Sequence, residues 1–477
     1  MFDVIIIGAG VIGSSVARSL AQYKLNVLVI EKNNDVGDET SGANSAIIHS
    51  GYDPSPNSKK AKHNVLGNKL IRKVCDDLDV EFKEIGSLTI ASTTEECETL
   101  NKLYDNGIKN NVDVKIISKE ELFKIEPFVT KKAMKALHAK TCGIINPFEL
   151  VVALMENAMD NGVKLNLNEE VIDIKQVDNK YLVKTNKAQY ESKIVINCAG
   201  LYSDKINNMI LDTKETIKPR KGEYYVIDHL PFPYITHTLF AVPSSKGKGV
   251  LVTPTTSNNY LIGPSSEFVS SKEDVSTDKD TLNNVLEEAK RLVDDLPLKY
   301  VIREFSGNRS YHDKNDFIIN MPLPGFINTL GIQSPGLTSC ISIACEVENL
   351  VKNYISLIKK DNYNPKRRKL YRVNQLSIDE KNKLINIDNR FGKIVCRCER
   401  ITYMEIVDAI NRNCGATSVK GVKKRVRSGF GKCQGGFCEP LIMKILKEEL
   451  NKKEEAINYS NLGSYILTSK TKENQDE

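Results

Sequence analysis

The first thirty residues carry two hydrophobic patterns in succession. DVIII at 3–7 is an uninterrupted apolar run of strand type, and Gly8, Gly10 and Gly13 follow it. Val16, Leu20 and Tyr23 then fall at helical spacing, and LNVLVIEK closes a second strand at Glu31, so the segment predicts a complete βαβ unit. Residues 60–78 and 94–111 read as helices with the strand SLTIAS between them. Pro147 opens another helix, through Asn161, out of a turn at Gly143–Asn146. From 163 to 198 the elements shorten: EVIDIKQV and KYLVKTN flank a turn at Asp178–Asn179, and KIVINCAG ends in glycine. Residues 223–263 are rich in β-type segments. A helix is predicted near 279–293, strands around 301–306 and 326–331, and a long amphipathic helix from Gly336 to about Ile358. The charged, Asn-rich stretch 360–390 has few apolar anchors and reads as a linker or wrapping arm. A Cys-bearing segment covers 391–450, and the residues after about 465 are polar and expected to be disordered. No internal repeat is visible.

Composition adds bounds. A chain of 477 residues exceeds one ordinary core, so two or three domains are expected. The net charge of +6 is mild, and no basic run is interleaved with aromatics, which argues against a nucleic-acid footprint and is compatible with an anionic substrate. No segment has the length and apolarity of a membrane span. The apolar N-terminus lacks a basic leader and is broken by glycines, so it reads as a strand entering a turn. Most of the 11 cysteines stand alone in apolar or helical surroundings, which points to a reducing, cytoplasmic compartment, with any membrane association made through a partner.

G-A-G-V-I-G at 8–13 is a weak motif alone, but here it lies between a strand and a helix with an acid at the next strand's end. Gly8 permits the tight turn, Gly10 lets the backbone approach a pyrophosphate, and Gly13 lets helix and strand pack closely. The helix N-terminus offers its unpaired N–H groups to phosphate, and Glu31 is placed to accept from a ribose, which argues against a 2′-phosphorylated cofactor. An NADH-using flavoprotein would need two such folds. GFGKCQG at 429–435 follows a basic stretch and contains a cysteine, so it is not a second one. FAD is therefore favoured over NAD.

C-R-C at 396–398 and C-Q-G-G-F-C at 433–438 place Cys396, Cys398, Cys433 and Cys438 in one short segment. Gly431, Gly435 and Gly436 free the backbone to wrap inorganic sulfide, as an iron–sulfur cluster requires. A structural zinc site also takes four thiolates, though usually from C-x-x-C pairs. Cys414 fits neither pair, and the other cysteines read as small apolar residues.

Four segments give the chain its resemblance, over about 1–355, to the D-amino-acid-oxidase-like superfamily of FAD oxidoreductases, above all its glycerol-3-phosphate and L-2-hydroxyglutarate dehydrogenase branches. They are the fingerprint, T-S-G-A-N-S-A-I-I-H-S-G at 40–51, N-C-A-G-L-Y-S-D at 197–204 and G-I-Q-S-P-G-L-T at 331–338. Residues 391–450 resemble the bacterioferritin-associated-ferredoxin-like [2Fe–2S] domain that ends the large subunits of anaerobic glycerol-3-phosphate dehydrogenases, through C-R-C-E-R and K-C-Q-G-G-F-C. The resemblance implies FAD contacts at Lys32, Ser41, Asn44, Ser45, Ala199, Gly200, Gly331, Gly336, Leu337 and Thr338, beside Gly8, Gly10, Gly13 and Glu31. The helix after Gly336 would face the flavin edge on which charge builds during reduction.

Alcohol oxidation needs a base for the hydroxyl proton, and His49, one of 6 histidines, lies in the flavin loop; a structural loop histidine is the alternative. Arg309, in F-S-G-N-R-S, matches the family's substrate-binding arginine and could grip a carboxylate or phosphate bidentately; otherwise it is a surface arginine. Arg220 and Lys221 rank lower, as adjacent basic residues that usually project to solvent. Where respiratory glycerol-3-phosphate dehydrogenases carry a phosphate-holding lysine in the last cofactor loop, this chain has Gln333, which is closer to the 2-hydroxyglutarate branch.

The architecture expected is an α/β, Rossmann-like FAD domain (1–80, 145–215 and 305–358) with an inserted β-rich substrate domain (81–144 and 216–304). A linker (359–390), a small all-helical [2Fe–2S] domain (391–450) and a tail (451–477) would follow. The function implied is oxidation of a small anionic hydroxy substrate. First comes sn-glycerol 3-phosphate, second L-2-hydroxyglutarate, and third, from another class, a flavin and iron–sulfur shuttle without its own substrate. Electrons would leave through the cluster to a protein subunit or quinone-linked chain.

Overall fold

In the computed structural model, which describes residues 1–243 and 249–469, the apolar run Phe2–Ile7 lies in the middle of an eight-stranded sheet. Its neighbours Val27–Ile30 and Gln189–Asn197 run parallel to it, and Phe326–Leu330 adds a further parallel strand beyond the latter. Parallel strands need crossovers and are covered on both faces, which is why these segments are apolar without alternation. The helices Val11–Leu20, Pro147–Asp160 and Gly336–Tyr354 pack together on one face. Ile6, Val16, Leu20, Leu154, Ile327 and Ile343 are all fully buried in that core, each contributing about 2 kcal/mol by the area removed from water.

A second sheet, of nine strands, collects Ser87–Ala91, Val114–Ser118 and Lys135–Ala139 from the first insertion and five strands between Lys218 and Phe268 from the second. Its ninth strand, Val301–Tyr311, pairs antiparallel with Lys218–Ile227 from Ile227↔Val301 to Lys218↔Tyr311. The domain boundary expected at 305 therefore falls inside a continuously paired strand, and the strand outlasts the predicted 301–306. The polar run S-G-N-R-S carries no strand signal of its own; pairing with Lys218–Glu223 holds it extended. Gly143–Ile145, expected as a turn, is a strand of a three-stranded sheet with Ile47–Ile48 and Phe82–Glu84.

Of the two readings of 360–390, linker or wrapping arm, the structure shows the arm, bound along the FAD-domain helices. Buried Arg367 and Arg412 share Glu156 at 2.6 and 2.8 Å, and Arg372 bonds both Asp79 and Glu149. The arm also contains a helix, Ile378–Ile387, capped by a reciprocal Ser377–Glu380 box. The C-terminal module is not wholly helical: Ile394–Cys396 and Ile401–Thr402 pair as a short hairpin beside the helices Tyr403–Ile410, Val419–Val426 and Glu439–Leu450. Tyr465 bridges Asn458, so paired structure reaches Tyr465; 470–477 of the expected disordered tail lie outside the described residues.

Charge docks this module on the FAD domain. Asp35, in the loop after Val27–Ile30, receives two bonds from Arg425 at 2.8 Å each and a third from Lys424 at 2.8 Å, all with side chains at most 5% exposed. Burial pushes the Asp35 carboxyl up, but the two cations outweigh it and hold it below the ordinary range. A depressed carboxylate stabilises above its unfolded pKa and loses that contribution as pH falls below it, so the docking weakens in acid. Asp35→Asn strands buried Arg425, while Lys424 keeps Asp38 at 3.1 Å, and is expected to cost about 3 kcal/mol. Denaturant unfolding at neutral pH measures it, and a loss under about 1 kcal/mol would show that the cations find other partners.

Candidate active site and cluster site

The glycine turn is built as the sequence requires. Gly8 has φ +102°, and a Cβ at Gly13 would stand 1.9 Å from the Gly8 carbonyl oxygen, so strand and helix touch only because neither residue has a side chain. The Glu31 carboxylate accepts from Ala9 N–H at 2.7 Å and Asn33 N–H at 2.9 Å, while burial pushes its pKa up. Ser41 Oγ accepts from Val11 N–H at 2.9 Å, fastening the 40–46 loop to the helix start. Lys32 lies 3.6 Å over the Tyr202 ring and pairs with Glu39.

These elements border a cavity of about 430 Å³. Of the residues read from sequence, Gly10, Ser41, Asn44, Ser45, His49, Gly200, Arg309, Gly336 and Leu337 line it together. Gly8, Gly13, Glu31, Lys32, Ala199, Gly331 and Thr338 do not reach its wall. Thr338 acts from behind, its Oγ accepting from His49 N–H at 2.9 Å. The cavity begins at the N-terminus of Val11–Leu20 and ends at that of Gly336–Tyr354, so two sets of helix-start N–H groups face it. That polarity, with glycine at 10 and 336, fits the pyrophosphate and the electron-rich ring of FAD.

His49 is fixed from three sides. Its carbonyl accepts from the Asn64 and Asn68 amides at 3.0 and 3.1 Å, and its ring stacks on Phe240 with centroids 5.8 Å apart. Arg309 donates from Nε to Arg220 O at 3.1 Å and from Nη2 to Lys221 O and Ser265 O at 3.1 and 2.7 Å. Among the described residues no carboxylate pairs with it, and burial lowers its pKa. A desolvated guanidinium held only by carbonyls, on a cavity wall, keeps most of its charge for an incoming anion.

Arg220 and Lys221 do not project to solvent. Arg220 lines the same cavity and lies over the Phe268 and Tyr311 rings. Lys221 is turned away and buried against Glu223 at 3.3 Å and Asp274 at 3.2 Å. Their opposite directions follow from strand alternation. Sequence reasoning missed Tyr224, which reaches Ser45 Oγ at 3.0 Å, and Lys60, which lines the cavity beside Gln333 and Asn315. Neither sits in a motif; strand pairing and a helix from elsewhere bring them in.

In the C-terminal module the sulfur contacts run between the two segments. Cys398 Sγ lies 3.6 Å from Cys433 Sγ, and the thiols of Cys396 and Cys438 share a hydrogen bond that lowers the first and raises the second. Among the described residues no three His, Cys, Asp or Glu side chains are gathered closely enough to hold one metal ion. Two thiol pairs suit a two-iron cluster, in which each iron takes two cysteines, better than one tetrahedral zinc. A Cβ at Gly431 would lie 2.3 Å from the Cys398 Cβ, and Gly435 has φ +97°, so both glycines are needed for the loop to close over the sulfurs. Cys414 is buried against Arg425, apart from both pairs.

Residues 3–349 match the family described as FAD dependent oxidoreductase, and 394–448 match the BFD-like [2Fe-2S] binding domain. A glycerol 3-phosphate dehydrogenase from Caloramator mitchellensis is 49% identical over 476 residues, covering 99% of each chain. A glycerol 3-phosphate oxidase from Mycoplasma genitalium is 36% identical, covering 76% of this chain and 97% of its own. The FAD-bound L-α-glycerophosphate oxidase structure from Mycoplasma pneumoniae superposes with a TM-score of 0.74 at 34% identity, covering 78% of this chain and 99% of that one. Among the described residues no helix is long and apolar enough to cross a membrane.

Proposed function

The chain belongs to the FAD dependent oxidoreductase family, and we propose that it oxidises sn-glycerol 3-phosphate to dihydroxyacetone phosphate. The observation that carries this reading is Arg309, a half-buried cation on the wall of the flavin cavity with no carboxylate partner among the described residues. It supplies the fixed charge that a phosphate monoester needs, and the full-length likeness to a glycerol 3-phosphate dehydrogenase supports phosphate over carboxylate. FAD, when bound, accepts the hydride, and the [2Fe–2S] cluster passes electrons on singly. The chain's own part is to seat the anion on Arg309, hold the ring-facing loop 40–46 in place, and take the hydroxyl proton at the His49 imidazole. The acceptor is a protein subunit or a quinone-linked chain, reached through the cluster, in a compartment that keeps the free cysteines reduced.

Anaerobic titration tests the substrate. Glycerol 3-phosphate is expected to bleach the flavin bands and L-2-hydroxyglutarate to leave them. The reverse result would transfer the reading to the 2-hydroxy acid, and bleaching by neither would support the shuttle. His49→Asn, which keeps the loop polar but removes the base, is expected to slow bleaching roughly 10²-fold. A loss under about threefold with FAD retained would remove His49 from that role.

A further inference from the structure

On the far side of the flavin loop lies a second cavity, of about 630 Å³. Thr40, Ala43 and Asn44 border both cavities, so the loop is the partition between them. Its wall includes the start of Pro147–Asp160, the polar stretch of Val301–Tyr311, the loops around Thr255–Asn259 and Val275–Thr277, and the helix Val419–Val426 with the cluster loop at Gln434.

Its wall holds polar groups that the protein leaves unsatisfied. Lys423 is 6% exposed, yet among the described residues its ammonium has no hydrogen bond and no ion pair; it lies 4.8 Å over the Phe430 ring. Ser306 Oγ and Asn308 Oδ1, also on the wall, are buried without a partner. A buried lysine is costly unless something answers its charge. Glu439 and the Cys438 thiol act on it only through space, without a hydrogen bond or ion pair, and the other acids are engaged: Asp38 by Lys420 and Lys424, Glu39 by Lys32 and Glu399 by Arg427, while Glu304 is exposed. Arg303, bonded to Gln434 at 3.2 Å, adds a further positive charge at the cluster end. The wall next to Lys423 is aromatic, with Phe148 and Phe430 5.6 Å apart at an angle of 41°.

We propose that this cavity is a second binding site, separate from the flavin groove, for a small planar aromatic molecule bearing a phosphate or carboxylate. The anionic group seats on Lys423 with Ser306 donating to it, and the ring lies against Phe430 and Phe148. The site touches the flavin loop through Ala43 and Asn44 and the cluster loop through Gln434, so an occupant stands beside both redox groups. This goes beyond the reading of substrate above and does not depend on it.

Phenyl phosphate, inorganic phosphate and phenol serve as probes, titrated calorimetrically into the oxidised enzyme carrying FAD and cluster. Arg309→Leu is the background, because the first cavity would otherwise contribute a phosphate site. One phenyl phosphate per chain is expected to bind, with inorganic phosphate and phenol each at least about tenfold weaker. Lys423→Met is expected to weaken phenyl phosphate by about tenfold or more while keeping FAD and cluster absorbance, since methionine fills the same volume without the uncompensated charge. Phe430→Leu provides a second variant that touches the ring half alone. Absence of saturable phenyl phosphate binding, or equal affinity in Lys423→Met, overturns the site; equal binding of inorganic phosphate overturns the aromatic class of its ligand.

Discussion

Replacing Arg309 by leucine is expected to lower kcat/KM for the anionic substrate by roughly 10³-fold. The size follows from how the side chain is held. Three of its N–H groups go to the Arg220, Lys221 and Ser265 carbonyls and none to a carboxylate. The guanidinium is thus desolvated and oriented before substrate arrives, and the anion supplies its only full counter-charge. Leucine leaves the substrate's phosphate facing an apolar wall, and no nearby acid is freed to compensate. The fold should tolerate the change, because it removes a half-buried cation that no carboxylate among the described residues compensates. Arg309→Lys should recover only part of the loss, since an ammonium cannot span three carbonyls and an anion together. Stopped-flow bleaching of the flavin, with Tm as the control for folding, checks both variants. A loss smaller than about tenfold in Arg309→Leu, with Tm unchanged, would place the anion elsewhere on the wall, Lys60 and Arg220 being the cations that line it.

What could be read in the sequence was local. The strand, glycine turn, helix and Glu31 all follow from short spacings, and they stand in the structure at those positions. The helix Ile378–Ile387 went unread, although S-I-D-E before it has the form of a capping box. Lys221 and Lys423 could not be read, because each is buried by partners distant in sequence: Lys221 by Asp274, and Lys423 by the walls of a cavity that several separate segments enclose. Asp35 likewise carries no motif, and its partners lie 389 and 390 residues away. Of the site, the cofactor frame and the lone arginine were visible. Its electrostatic neighbours were not, since burial is a property of the whole packing arrangement.

The four cysteines divide by exposure, and that decides which one tests them. Cys396 and Cys438 are buried in the module's core, so replacing either would mix lost packing with lost ligation. Cys398 is exposed and touches Cys433 across the cradle. Cys398→Ser therefore removes a thiolate and leaves the apolar contacts of Val395, Ile406 and Ile442 intact. Iron and inorganic sulfide, with the broad visible background they give, are expected to fall to near zero, because three thiolates and a hydroxyl hold a [2Fe–2S] core poorly at neutral pH. Bleaching of the flavin by substrate should stay within about twofold of wild type, since Arg309 and His49 lie in a different cavity wall. Turnover with a one-electron acceptor should fall by more than about tenfold, because ligation rather than folding has been lost. A parallel fall in both rates would mean that the module supports the flavin site structurally, through the Asp35–Arg425 docking. Undiminished iron and colour would show that Cys398 is not a ligand. Zinc lost in place of iron would mean that the two sulfur pairs close around one ion after all.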